Sequence, residues 1–238
     1  MKNKATGSIP VVFISGCFLI KYNSKRRRIE VKIQLALDRL TEQECFRIAD
    51  ETCENIDWIE IGTGVIKEYG MKIVREMKAA YPEKTIVADM KTCDAGKHEA
   101  EQAFKAGADV MTVMGFSHNS TIKQALEIAN AANKRIMIDL LGIKDAKRVK
   151  SLYDLGADLF CLHIGKDMQK EGSIADPALF RLVKGLNDIE VAIAGGISEK
   201  TIGELKDSIA DVVIIGSAIT GNQAPKEASS AIRNKLKK

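Results

Sequence analysis

The sequence predicts a single (βα)8 TIM barrel of the α/β class over residues 31–238, and three observations carry that expectation. Short aliphatic runs of strand length alternate with longer stretches of helical spacing, eight times in succession. No linker, low-complexity stretch or shift of composition interrupts them after residue 31. The 238-residue length suits one α/β barrel, which commonly runs to about 250 residues. An open doubly wound sheet is the second architecture compatible with the alternation.

The strand-like runs are Val31–Leu37, Trp58–Ile61, Thr85–Ala88, Val110–Met114, Arg135–Ile138, Leu159–Leu162, Glu190–Ala194 and Val212–Ile215. Hydrophobic residues make up 45% of the chain and aromatics 5%, so the core is aliphatic, as parallel strands covered on both faces require. After the first run, Thr41 and Glu44 have the spacing of a capping box, and Cys45, Ile48, Ala49, Thr52, Cys53 and Ile56 share one helical face. Ile122, Ala125, Leu126 and Ala129 repeat that pattern after the fourth run. Ala106-Gly107-Ala108-Asp109 and Leu155-Gly156-Ala157-Asp158 are near-copies, each setting a glycine at a helix end just before a strand.

Residues 1–30 stand apart. They hold seven Lys or Arg and one acid, which leaves the rest of the +4 chain at net −2 and argues against nucleic-acid binding by the barrel. Their apolar stretch Ile9–Ile20 is too short to span a bilayer as a helix and is followed, not preceded, by Arg26–Arg28. We expect a non-domain leader that is not natively translated. A purine-rich ribosome-binding site read as codons spells Arg-Arg, and a GTG start read internally gives Val31. The rival is an arm that associates with an anionic membrane surface. No other segment is apolar enough to cross a membrane, so no membrane partner is expected for the body. The five cysteines show neither a C-x-x-C pair nor a disulfide framework, so a reducing, cytoplasmic compartment is expected.

In a βα barrel the carboxyl ends of the strands carry the chemistry. Here they present Asp38, Glu60, Asp89-Met90-Lys91 with Asp94 beyond, Asp139 and His163. Any one acid could cap a helix or pair with a helix lysine. As a group they are costly beside a barrel core unless paired or bound to a metal. Asp89 and Lys91 are two apart on a strand and so face the same side, toward the mouth. Glu60 on the neighbouring strand can approach Asp89. Two carboxylates without a cysteine or histidine pair make an oxygen site, which suits Mg²⁺ completed by water and substrate. Lys91 then offsets like-charge repulsion and can donate to a developing oxyanion. His163 at a strand end suits a general acid/base, although a lone strand histidine is also compatible with simple core packing. His98 and His118 receive no role.

Gly195-Gly196 follows the seventh run and Gly216-Ser217 the eighth. Glycines there let backbone N–H groups and a short helix N-terminus approach an anion, and the last two strands are where this fold favours phosphate. A phosphosugar substrate is expected.

The pattern Asp89-x-Lys91-x-x-Asp94 resembles the orotidine-monophosphate decarboxylase superfamily. Leu35-Ala36-Leu37-Asp38, Glu60-Ile61-Gly62-Thr63, Ala88 through Gly96, Ala192 through Ile197 and Gly216 through Thr220 more closely resemble the 3-hexulose-6-phosphate synthase family. Its sister family is 3-keto-L-gulonate-6-phosphate decarboxylase. The resemblance implies Glu60 and Asp89 on Mg²⁺, Lys91 at the reacting oxygens, Asp38 on a substrate hydroxyl, and Gly195, Gly196, Gly216 and Ser217 on phosphate. It further implies that Asp94 reaches into the partner's site of a homodimer with shared active sites. Asp139 and Ser217 resemble the synthases, whereas the decarboxylases carry Glu and Arg there; Lys166 matches neither. The implied reaction is reversible aldol addition of formaldehyde to D-ribulose 5-phosphate through an enediolate. The decarboxylase, and a phosphate-binding barrel without catalysis, are the alternatives.

Overall fold

The computed structural model describes residues 30–169, 177–205 and 210–237. Expectations for the leader, apart from Glu30, lie outside the described residues. Eight parallel strands close into a barrel in chain order: β1 (Lys32–Leu37), β2 (Trp58–Ile61), β3 (Thr85–Thr92), β4 (Val110–Met114), β5 (Arg135–Asp139), β6 (Leu159–His163), β7 (Glu190–Ala194) and β8 (Val212–Ile215). Helices lie between them: α1 (Glu42–Thr52), α2 (Thr63–Tyr69), α3 (Met71–Ala80), α4 (Gly96–Lys105), α5 (Asn119–Ala131), α6 (Ala146–Asp154), α7 (Lys166–Gln169), α8 (Pro177–Leu182), α9 (Ile202–Leu205) and α10 (Ser217–Thr220), with α11 (Pro225–Lys237) last. No helix among the described residues is long and apolar enough to cross a membrane.

Local chemistry sets the element ends. Thr41 Oγ1 accepts from the Glu44 N–H while the Glu44 carboxylate accepts from the Thr41 N–H, closing the capping box of α1. That helix ends at Thr52, so Cys53 opens a 3₁₀ turn and Ile56 is extended; Ile56 is nonetheless buried. Gly107 and Gly156 take φ of 97° and 100°, a conformation that favours glycine, and turn the chain from helix to strand.

Strand alternation sorts the side chains into two cores. Ile33, Leu35, Ile59, Ile86, Met111, Ile138, Phe160 and Val213 face the helices. Trp58, Val87, Val110, Met137, Leu159, Ala192 and Val212 fill the lumen. Moving two residues further along β2, β3, β4 and β5 turns the lumen layer from Trp58, Val87, Val110 and Met137 into Glu60, Asp89, Thr112 and Asp139. The apolar plug below and the polar layer above define the floor of the mouth.

The amino-end rim is held by ion pairs and backbone caps. Asp57, Asp109 and Asp211 stand just before β2, β4 and β8, and each accepts the N–H of the second residue of the preceding strand: Ile33 at 2.7 Å, Ile86 at 2.9 Å and Val191 at 2.8 Å. Asp158, before β6, instead accepts from Arg135 at the start of β5. Lys78 and Lys134 lie 2.9 and 2.7 Å from the Asp109 carboxylate. Glu190 takes Lys32 at 2.8 Å and also Arg135. Arg233 of α11 reaches Asp57 and ties the last helix under the barrel.

Candidate active site

A cavity of ≈ 740 Å³ opens at the carboxyl ends of the strands, lined by Asp38, Glu60, Asp89, Lys91, Asp139, His163, Gly195, Gly196, Gly216 and Ser217 among others. Sequence-expected residues from seven strands and the turns after them thus meet at one mouth. Asp94 does not join them. It sits exposed on the loop after β3, outside the cavity of its own chain.

The centre of the site is a continuous polar chain. Lys91 Nζ lies 3.0 Å from Asp89 Oδ1 and 3.0 Å from Asp139 Oδ2. Asp139 in turn meets His163 Nδ1 at 2.9 Å and accepts the Leu141 N–H at 2.8 Å. Burial pushes the Asp139 carboxyl up, but the His163 hydrogen bond and the Lys91 charge outweigh it and hold the group at about 2. An ionised Asp139 makes His163 Nδ1 the protonated nitrogen and leaves Nε2 as the basic one. Burial also opposes the Lys91 charge, yet Asp89, Asp139 and Glu60 together hold the ammonium well above the ordinary lysine range. Lys91 is therefore a fixed cation. Burial, and then its neighbour Asp139, pushes the Cys161 thiol up, so it lines the cavity as an unreactive thiol.

Asp89 and Lys91 do reach the same side, but not by simple strand alternation. The β3–β4 register shifts between Ala88 and Thr92, and Lys91 has φ 47°. A non-glycine residue there costs about 1–3 kcal/mol and persists only where its surroundings enforce it.

Glu60 is buried, with Gln34 Nε2 donating to its Oε2; Gln34 Oε1 has no partner among the described residues. Burial, and then the Asp89 charge, drives Glu60 up to about 8. Among the described residues Lys91 is the cation paired with Asp89, and the oxygen donors of Glu60 and Asp89 fit a hard divalent cation that takes water and substrate as its remaining ligands. Among the described residues no three His, Cys, Asp or Glu side chains form a ready-made cage. The donor set thus suits Mg²⁺ and does not suit a closed structural site.

Around this centre, Asp38 accepts the Gly64 N–H at 3.0 Å and pairs with Arg39 at 3.1 Å. Gly195 has φ 114°, and a Cβ there would meet the Ile164 carbonyl oxygen at 2.3 Å, so the backbone demands glycine whatever binds above it. Lys166 is exposed at the cavity wall.

Sequence reasoning missed three supporting residues: Gln34, Thr63 and Thr112. Thr63 Oγ1 lies 2.8 Å from both the Asp89 carboxylate and its carbonyl. The available signal for Gln34 and Thr112 was parity, since each is a polar residue on the lumen side of an otherwise aliphatic run.

Residues 31–232 match the family model described as "Orotidine 5'-phosphate decarboxylase / HUMPS family". The chain belongs to that family. Among its relatives, the 3-hexulose-6-phosphate synthase of Methylomonas aminofaciens is 39% identical over 203 residues, 84% of this chain and 96% of the relative. The crystal structure of 3-hexulose-6-phosphate synthase from Salmonella typhimurium superposes with a TM-score of 0.84 at 35% identity, covering 87% of this chain and 98% of the other. That of 3-keto-L-gulonate-6-phosphate decarboxylase from Vibrio cholerae gives 0.76 at 29% identity, over 87% and 98%.

Proposed function

We propose that the chain is a 3-hexulose-6-phosphate synthase, an aldehyde-lyase joining formaldehyde to D-ribulose 5-phosphate. The observation that carries this reading is the Asp89–Lys91–Asp139–His163 chain, in a barrel whose relatives of that name align along most of its length. Glu60 and Asp89 would hold Mg²⁺, which when bound polarises the substrate's C2 carbonyl and acidifies its C1 proton. His163 Nε2 takes that proton, while Asp139 on Nδ1 steadies the imidazolium. Lys91 donates to the enediolate oxygens. C1 then attacks the formaldehyde carbon, forming one C–C bond; the C2 carbonyl reforms, and the formaldehyde oxygen takes the proton back from His163. Asp38 accepts from a substrate hydroxyl. The N–H groups around Gly195, Gly196, Gly216 and Ser217 receive the phosphate.

Asp94 fits the same reading in a homodimer, as a group lent to the partner's site. It is exposed, and Ser117 Oγ donates to the Thr92 carbonyl, tying its loop to the β4–α5 loop. That second loop carries Phe116, which at 59% exposure is the large apolar residue that the described chain leaves open. A face with both features suits a second copy.

One assay separates the sisters. Incubation with ribulose 5-phosphate, formaldehyde and Mg²⁺ should consume formaldehyde, whereas 3-keto-L-gulonate 6-phosphate should release little CO₂. Rapid CO₂ release without formaldehyde fixation would overturn the synthase reading and favour the decarboxylase, to which the likeness to the Vibrio cholerae protein points.

A further inference from the structure

Ala88 pairs with Met111 and Thr92 with Val113, so β3 spends Asp89, Met90 and Lys91 opposite a single residue of β4, Thr112. Bulges of this kind re-aim side chains beside active sites. Met90 packs toward the helix-side core, while Asp89 and Lys91 both enter the cavity. Two hydroxyls tie down the surplus backbone, Thr63 at the Asp89 carbonyl and Thr112 at the Lys91 N–H. Thr112 Oγ1 accepts the Lys91 N–H at 2.9 Å and donates to Asp89 Oδ1 at 2.8 Å. A hydroxyl has one proton and two lone pairs, so it can make both bonds at once. The β-branched side chain is stiff at χ1 and buried, which fixes where that oxygen stands.

We propose that Thr112 is a positioning residue that holds Lys91 in its left-handed backbone conformation and sets Asp89 against it. The proposal rests on the reading of Asp89 and Lys91 as groups that act on substrate. Thr112 acts through those two side chains, so its loss falls on the reacting geometry and spares the phosphate site after β7 and β8.

The test compares Thr112→Val, which keeps shape and removes both hydrogen bonds, with Thr112→Ser, which keeps the hydroxyl. For the valine variant, kcat should drop by about 10–100-fold, the scale of a misplaced reacting group, while KM for ribulose 5-phosphate stays within about twofold. The serine variant should recover to within a few-fold of the parent protein. Independently of turnover, the Lys91 amide should be protected from hydrogen exchange in the parent and the serine variant and should exchange faster in the valine variant. Should the valine variant not fold, Thr112→Ala carries the same comparison. An unchanged kcat and Lys91 exchange in the valine variant would overturn the proposal, as would equal loss in valine and serine variants. If the parent protein turns over neither phosphosugar, the functional reading fails, and the Lys91 exchange still decides the role of Thr112.

Discussion

The two rims of the barrel treat charge in opposite ways. At the amino ends of the strands, Asp109 is shared by Lys78, Lys134 and the Ile86 N–H, and Glu190 by Lys32 and Arg135. At the carboxyl ends, Glu60, Asp89 and Asp139 crowd around Lys91 and His163. The first arrangement satisfies each carboxylate and stabilises the fold. The second leaves Glu60 pushed up to about 8, a strain in charge that a divalent cation and a substrate would relieve. One fold has separated the rim that holds it together from the rim that carries the candidate site.

The sharpest way to break this division is Asp89→Asn. Turnover should fall by about 10²-fold or more, with weaker Mg²⁺ binding by calorimetry, while the melting temperature holds or rises because one of the crowded charges is gone. A metal-free variant with near-normal activity would end the Mg²⁺ assignment. Next in size is subunit complementation. Asp94→Ala and Lys91→Ala proteins, each inactive, should regain about a quarter of parent activity after mixing and exchange, because a mixed dimer contains one whole site of two. No recovery after verified exchange would remove Asp94 from the shared site.

The opposite rim predicts the reverse outcome. Asp109→Asn should cost about 1–3 kcal/mol in urea unfolding, since it leaves two ammonium groups short of a partner, with kcat per folded molecule unchanged. A loss of kcat with stability intact would contradict the division.

The pH slopes come last, and Glu60 on one rim differs in sign from Asp109 and Glu190 on the other. Burial pushes Asp109 and Glu190 up, but the Ile86 N–H with Lys134 and Lys78, and Lys32 with Arg135, outweigh it and hold both below the ordinary range. Groups lowered on folding add stability above their unfolded values near 4, and that contribution disappears as pH falls through their folded values. Glu60 is raised from 4.5 to about 8, so in metal-free protein its contribution is fully present below 4.5 and declines as pH rises toward 8. Unfolding free energies measured from pH 3 to 9 should show Asp109→Asn flattening the acid limb and Glu60→Gln flattening the decline toward 8. Parallel curves for the two variants would count against the contrast.

Much of this was legible in the chain. Seven of the eight runs, all but Thr85–Ala88, match their strands to within one residue, because aliphatic runs between helical stretches leave little freedom in a parallel barrel. The residues that line the mouth were legible because a charge at a strand end, beside a barrel core, is costly unless it is paired or put to use. What the sequence did not expose was their support. That β3 runs on to Thr92 with a bulge, that Thr63 and Thr112 both hold Asp89, and that Gln34 lies against Glu60 all depend on register between strands far apart in sequence. The role of Asp109 was hidden for the same reason. Its near-copy with Asp158 was visible, but not that one takes a backbone N–H and the other an arginine.

The aspartates ahead of β2, β4 and β8 each fasten a strand to its predecessor, and Asp158 does the same for β5 and β6 through Arg135. These four contacts fall in twos, β1 with β2, β3 with β4, β5 with β6 and β7 with β8, while Lys134 on Asp109 and Glu190 on Lys32 and Arg135 cross between the pairs. Each βαβ pair carries its own fastening, and the joints between pairs lie in the segments from β2 to β3, β4 to β5 and β6 to β7. Gly70, between α2 and α3, marks one such joint, where a side chain added to its backbone would meet no neighbour. A chain opened at Gly70 keeps each of these four fastenings within a single continuous segment.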